Sequence, residues 1–143
     1  MTRLDQTMAQ QVARAISVLQ EERTGLAPKA VSVALSDGML VATLYGALSP
    51  AEKALADTPD GIAQVQQFHR QLFASSVDLL RDEIERITGV GVGEAAAEVV
   101  TTAGAIVHAF ASGTMVQVFR LTGSIPVEAW SACGEFRPRD TEV

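Results

Sequence analysis

The stretch from Lys29 to Gly61 constrains the fold more than any other part of the chain. Two runs of alternating residues flank Asp37-Gly38, a dipeptide typical of two-residue hairpin turns whose central residues need positive φ. A loop of this length fixes the register, because directly opposite residues point to the same face of a sheet. The apolar face then carries the pairs Leu35/Leu40, Val33/Ala42 and Val31/Leu44. The other, less apolar face carries Ser36/Met39, Ala34/Val41, Ser32/Thr43 and Ala30/Tyr45.

A helical corner follows the second strand directly. In Ser49-Pro50-Ala51-Glu52, a serine N-cap, a proline at the first helical position and a glutamate three residues on form a capping box. Thr58-Pro59-Asp60-Gly61 repeats the device, so a short helix over 50–56 must stop and a second must begin at Pro59, since the residue before a proline is disfavoured in a helix. We therefore interpret Ser49, Pro50, Glu52, Thr58 and Pro59 as structural capping residues. The capping box accounts for Glu52 without a catalytic role.

Composition limits the class of protein. The chain has 143 residues, of which 48% are hydrophobic, so it is long enough for one sizeable core. A net charge of −6 argues against nucleic acid or anionic lipid as a main partner, because both are bound through clustered Lys and Arg. Cys133 is the only cysteine, which excludes an intramolecular disulfide and favours a reducing cytoplasm. No apolar run reaches the roughly 18 residues of a membrane span, and the N-terminal residues MTRLDQTMAQQ lack the apolar region of a signal peptide, so we expect a protein that stays in the cytoplasm.

Two amphipathic helices are predicted. Residues 2–24 place apolar side chains at spacings of three and four, and Gly25 suits a left-handed C-cap. A second helical pattern runs from Pro59 to about Thr88, with Gly89 as its C-cap, over a length of roughly 43 Å. Such a helix exceeds a compact domain of this size. It either kinks near Ser75-Ser76 or packs against a second copy of the chain, and we favour the second alternative.

After Gly89 the sequence becomes strand-like. Valines alternating with glycines indicate an edge strand, although the alanine-rich segment keeps both strand and helix open for residues 90–102. Ser112-Gly113 suits a second hairpin turn. A two-residue loop there would place Ile106, His108, Phe110, Met115, Gln117 and Phe119 on one face, and Val107, Ala109, Val116 and Val118 on the other.

These elements predict an α+β fold. Two antiparallel hairpins form one sheet, with the N-terminal helix and the long central helix packed on one face, in the order α-β-β-α-α-β-β. Residues 1–121 form a single domain in this interpretation. Residues 122–143 are rich in turn formers and charge and form a loosely docked or flexible extension, held by Trp130 and Phe136 if at all.

The chain resembles the MpsC-like family, also described as a domain of unknown function. The resemblance covers residues 5 to 121 and rests on Gly25 to Pro28, the corner 46–52, Leu55, Thr58 and Gly61, Arg70, Ile84-Glu85, Thr88-Gly89 and 118–121. Residues 93–113 are longer and richer in alanine than the family pattern, and a tail like 122–143 is not usual in it. The resemblance implies an accessory to a membrane system that generates potential through sodium or inorganic-carbon transport. It implies no catalytic residues.

Few residues carry a chemical signal. Gly89, Gly91 and Gly93 follow a predicted helix rather than a strand, which is unlike a nucleotide-binding loop. His69 and His108 are the only histidines and lack metal-ligand spacing. Arg70 follows the corner and could bind an anion or pair with Asp57 or Asp60. The acidic face of Asp78, Asp82 and Glu85 is interleaved with arginines, which favours a solvated surface over a cation site.

The function predicted from the sequence is therefore a non-enzymatic accessory or binding protein without cofactor or metal, with a protein partner at the cytoplasmic side of a membrane complex. The alternative is a small enzyme or small-anion sensor with a pocket near Arg70, His69 or His108. Excess apolar surface also predicts a homodimer, because two helices can cover only one face of the sheet. We expect Val41, Tyr45 or Phe119 in its interface, with the long helix as the alternative contact.

Overall fold

The computed structural model describes residues 6–100, 113–130 and 134–138, and confirms the α+β class. In the described residues the order is α1 (Met8–Thr24), β1 (Ala30–Ser36), β2 (Met39–Tyr45), α2 (Pro50–Leu55), α3 (Pro59–Thr88), β3 (Val92–Val100), β4 (Thr114–Leu121), α4 (Val127–Trp130) and β5 (Gly134–Phe136). The strands form one antiparallel sheet in the order β3-β4-β2-β1-β5. The sequence predicted β1, β2 and β4, left strand and helix open for the residues of β3, and did not predict β5.

The first hairpin has the predicted register, from Ala30 opposite Tyr45 to Ser36 opposite Met39. Asp37 and Gly38 have φ values of 49° and 77°, which is the left-handed backbone that a tight two-residue turn needs. Val33 and Ala42 face each other and are both fully buried. The alternation read from the sequence thus separates a core face from an outer face.

Both long helices pack on the core face. Thr7 caps α1 with Gln10 as the reciprocal partner, and Gly25 ends the helix with φ 80°. The apolar side of α3 packs against α1 and β3, and its buried residues are Gly61, Val65, His69, Phe73, Ser76, Leu80 and Ile84. The helix is continuous through Ser75-Ser76. The contact between α3 and a second copy stays a prediction.

The strand that pairs with β4 differs from the predicted one. Along one edge, β4 pairs with β3, with Ala95 opposite Phe119 and Val100 opposite Thr114. Along its other edge, β4 pairs with β2. The proposed two-residue hairpin at Ser112-Gly113 is therefore wrong, because both edges of β4 are already occupied. Ala97 is buried on the inner side of β3, where a small side chain lets α3 approach closely. Residues 106–110, including His108, lie outside the described residues.

Residues beyond 121 contribute to the sheet and the core. β5 pairs with β1, with Val31 opposite Phe136, and lies against α1. Gly134 approaches α1 so closely that a Cβ at this position would overlap the backbone carbonyl carbon of Ala9. The sequence predicted loose docking, whereas the described part of the extension buries Ile125, Trp130 and Phe136. The division into a domain over 1–121 and an extension stays a prediction.

Candidate functional site: a buried carboxylate–histidine pair beside a groove

His69 lies on the buried face of α3 and is only 1% exposed. It follows Val65 and precedes Phe73 at helical spacing, and both of these neighbours are also buried. Its Nε2 atom lies 2.7 Å from Oε2 of Glu52 on α2. The helical corner makes this contact possible, because it folds α2 back against the first half of α3.

Glu52 has a second function within α2. Its Oε1 atom accepts a hydrogen bond from the backbone N–H of Ser49 at 2.9 Å, and its own N–H donates to Oγ of Ser49 at 3.2 Å. The predicted capping box is thus confirmed. Capping alone does not account for the residue, however, since its other carboxylate oxygen meets His69. One side chain therefore caps α2 and also joins it to α3.

The environment of Glu52 favours its charged form. Partial burial raises the pKa of this carboxyl, but the hydrogen bonds from Ser49 and His69, together with the charge interaction with His69, outweigh burial and lower it. Because an ionised carboxylate only accepts hydrogen bonds, Nε2 of His69 carries the shared proton. Nδ1 of His69 is buried and has no hydrogen-bond partner among the residues described.

A groove of about 310 Å³ opens beside this pair. It lies between the loop after α1, the corner helix α2 and the first half of α3, and Glu52 forms part of its wall. Its apolar lining comes from Leu26, Leu55, Val65 and Phe68, and its polar lining includes Gln64. Leu55 and Phe68 are 45% and 48% exposed at its edges. The groove thus combines a carboxylate with apolar walls.

The structure describes two of the three predicted ligand-binding residues. His69 belongs to the pair with Glu52, whereas Arg70 is exposed on α3, and His108 lies outside the described residues. Sequence reasoning set Glu52 aside because its capping role was sufficient. The available signal was the position of His69 on the apolar stripe of a helix that a tight corner brings close to Glu52.

The three predicted interface residues lie on opposite faces of the sheet. Val41 and Tyr45 are on the outer face, and Tyr45 is 39% exposed. Phe119 is fully buried on the core face, with its ring centroid 6.0 Å from that of Phe73. A residue enclosed within one chain has no surface to offer to a second copy. Phe119 therefore belongs to the core.

A second groove, of about 270 Å³, lies between α1 and α3. Its charged lining consists of Arg14, Glu22, Glu83 and Arg86, and Arg86 donates two hydrogen bonds to Glu83, at 2.9 and 3.1 Å. The hydrogen bond from Arg86 lowers the pKa of Glu83. This mixed charge gives the groove little preference for a cation or an anion. Within the described residues, no three side chains form a possible metal site.

Exchanging Glu52 for glutamine should make stability less dependent on pH. A carboxyl whose folded-state pKa lies below its ordinary 4.5 contributes stability that is present above pH 4.5 and lost as the pH falls through the folded-state value. We expect Glu52→Gln to lower the free energy of unfolding by about 1–2 kcal/mol at neutral pH and by much less in acid. Denaturant titrations at both pH values measure the difference.

The matched control is Glu85→Gln, which removes an exposed carboxylate from α3. It should change stability by less than about 0.5 kcal/mol at either pH. An equal loss at both pH values for Glu52→Gln would show that the charge of Glu52 does not contribute.

Comparison with known proteins assigns the family. Residues 5–112 match the profile of the family described as Na+-translocating membrane potential-generating system (MpsC). The chain belongs to the MpsC family. Within the parts of the chain that the structure describes, none of the helices has both the length and the apolar character required to cross a bilayer. The family assignment confirms the resemblance found in the sequence.

A similar relative is the uncharacterized protein YbcI of Bacillus subtilis (strain 168), which is 25% identical over 79 residues. The aligned region covers 55% of this MpsC-family chain and 64% of YbcI, so the chain spans less than two thirds of that relative. No solved structure matches the chain. The comparisons thus place the chain in a family linked to a membrane system and assign no molecular role.

Proposed function

We propose that this MpsC-family chain is a non-enzymatic accessory protein that acts by binding other proteins at the cytoplasmic side of a membrane ion or inorganic-carbon transport system. The family description supports the link to a membrane potential-generating system. The observation that favours a binding role over a catalytic one is the outer face of the sheet. It offers an extended surface with an apolar centre.

The outer face is built by strand alternation. Val41 of β2 lies opposite Val118 of β4, and Thr43 lies opposite Val116, so β-branched side chains occupy its centre. These four residues are partly buried, and Tyr45 is exposed at one end. Charged residues lie at its edges in pairs, Arg120 with Glu94 at 3.2 Å and Arg137 with Glu135 at 3.3 Å. Each of these two pairs combines one cation with one carboxylate, so the pairs add no net charge to the edges of the face.

A second copy of the chain fits this face. Five strands about 4.8 Å apart and about six residues long give a face of roughly 24 by 20 Å. Two such faces stacked on each other would bury about 1,000 Å², which is near the lower limit for a specific interface. A two-fold arrangement lets one apolar surface cover its own copy, and the pairing of charges at the edges reduces the repulsion between two acidic chains.

The dimer predicts the effect of a charge on the outer face. The wild-type chain should scatter light as about twice 15.1 kDa after size exclusion. Val41→Asp should shift it to a monomer, because an unpaired carboxylate would be desolvated at the centre of the interface. Val18→Asp is the matched control, since Val18 is a partly exposed valine on α1, in the helical layer. A wild-type chain that is monomeric at every concentration would contradict this arrangement.

The membrane link is tested separately. Affinity capture of the full chain from its native host, followed by mass spectrometry, should recover components of an ion or inorganic-carbon transporter. Recovery of cytosolic proteins alone would contradict the proposal.

The alternative function, a small enzyme or small-anion sensor at His69, receives less support from the geometry. The groove beside His69 is bordered by the ionised Glu52, which repels anions.

A further inference from the structure

We propose that the groove beside Glu52 and His69 receives a lysine or arginine side chain from an amphipathic basic segment of a partner protein. The inference rests on the proposed binding function and specifies the chemistry of the partner. The groove lies in the helical layer, whereas the proposed dimer surface is the outer face of the sheet. Both surfaces can therefore be occupied in the same molecule.

The carboxylate of Glu52 is arranged to accept a further donor. Each of its oxygens accepts one hydrogen bond, Oε1 from Ser49 and Oε2 from His69. Each carboxylate oxygen can accept two, so both keep acceptor capacity. The side chain is 20% exposed, and the groove is the open space that it borders. The carboxylate is held in place by the capping box, so little entropy is lost when a cation binds it.

The walls of the groove suit the stem of a long basic side chain. Leu55 and Phe68 leave nearly half of their surface exposed at its edges. Lys and Arg side chains bury their methylene groups on such apolar surfaces and keep the charged end for a carboxylate. The ring of Phe68 adds a face on which a cation can lie. A groove of about 310 Å³ has room for one such side chain.

Charge complementarity selects the partner. The chain carries a net charge of −6, and Lys53, the cationic neighbour of Glu52 in sequence, is exposed and is not among the lining residues. An acidic protein with a carboxylate in an apolar groove favours a basic amphipathic segment. Cytoplasmic segments next to membrane spans carry an excess of Lys and Arg. A partner within a membrane complex therefore presents the required chemistry.

A peptide titration tests the groove directly. The probe is an amphipathic peptide of about 12 residues with leucine and lysine at helical spacing, and its counterpart has glutamine at every lysine position. Both are added to the full chain labelled with nitrogen-15, and amide shifts are followed by NMR. We expect the lysine peptide to shift the amides of Ser49, Glu52, Leu55, Gln64 and Phe68. The glutamine peptide should bind at least about tenfold more weakly.

Variants separate the groove from general attraction between opposite charges. Glu52→Gln should weaken binding about tenfold, whereas Glu85→Gln, which makes the same change in net charge on an exposed part of α3, should leave it unchanged. Because Glu52→Gln also disturbs the cap of α2, Phe68→Ala provides a second test with Glu52 intact. It should weaken binding severalfold.

Three results would overturn the proposal. Equal weakening by Glu85→Gln would indicate non-specific charge attraction. Shifts confined to the outer face of the sheet would place the binding elsewhere. Binding of Nα-acetyl-lysine methylamide as tight as that of the peptide would assign the groove to a small organic cation instead of a protein. Peptide binding at the groove by a chain that captures no transporter component would keep the groove and reject the membrane link.

Discussion

Replacing Gly61 by alanine is expected to destabilise the protein by about 2–3 kcal/mol. Gly61 occupies the first turn of α3, where its N–H donates to Oγ1 of the N-cap residue Thr58 at 3.0 Å. A Cβ at this position would overlap the backbone carbonyl oxygen of Leu55 at the end of α2. A carbonyl oxygen cannot rotate away as a side chain can, so α2 or α3 would have to move.

The sign of this effect is diagnostic. At an ordinary helical site alanine is more favourable than glycine by about 1 kcal/mol, so propensity alone predicts that Gly61→Ala stabilises the chain. Ala63→Gly, at an exposed position in the same turn, measures the propensity term and should lose about 1 kcal/mol. Denaturant unfolding of both variants gives the comparison. A stabilised Gly61→Ala variant would show that α2 does not lie so close to α3.

The contact between Gly61 and the end of α2 also determines where the α2 wall of the groove lies. α2 is a short helix of six residues without a buried residue of its own, so propensity contributes little to its position. The close approach at Gly61 and the bond between Glu52 and His69 hold it against α3. Gly61→Ala should therefore weaken binding of the lysine peptide even though no groove residue is changed.

Local chemistry made much of the fold predictable from the sequence. The turn at Asp37-Gly38 needs positive φ at both positions, and this requirement fixes the register of the first hairpin. Proline and N-cap residues determine where α2 and α3 begin, and Gly89 ends α3. Each of these features depends on residues within a few positions of one another. Side-chain chemistry can therefore be interpreted there without knowledge of the tertiary structure.

Contacts between distant segments were harder to predict. β4 pairs with β3 across residues 101–113, and β5 adds to the free edge of β1 from the far end of the chain. Neither pairing follows from a turn motif, because the register is not fixed by a short loop. The bond between Glu52 and His69 spans 17 positions and was missed for the same reason. The capping role explained Glu52 from its local sequence, so its contact with His69 was not predicted.

Truncating Phe119 is expected to have the largest effect of any single change considered. Phe119 is fully buried, and its ring packs in a tilted arrangement against Phe73, which joins β4 to α3. Removing a buried phenylalanine ring costs about 3–5 kcal/mol, because apolar contacts are lost and a cavity remains. Small domains are stable by only about 5–15 kcal/mol, so Phe119→Ala should lose a large fraction of the free energy of unfolding.

Protein concentration distinguishes a core residue from an interface residue. The stability of a dimer rises with concentration, because association favours the folded state by mass action. The loss of stability caused by Phe119→Ala should be the same in dilute and concentrated samples, since the contacts that this change removes lie within one chain. Tyr45→Ala, on the outer face, should cost less than about 1 kcal/mol in dilute solution and more as concentration rises. Unfolding followed by circular dichroism at two concentrations measures both.

The opposite pattern would place Phe119 at the interface, as the sequence alone suggested. Phe119→Ala would then unfold like the wild type in dilute solution and lose stability only where the wild type is a dimer. The enclosed position of the ring against Phe73 makes the concentration-independent loss the expected result. Val41 and Tyr45 then remain the residues that test the proposed self-association of the outer face.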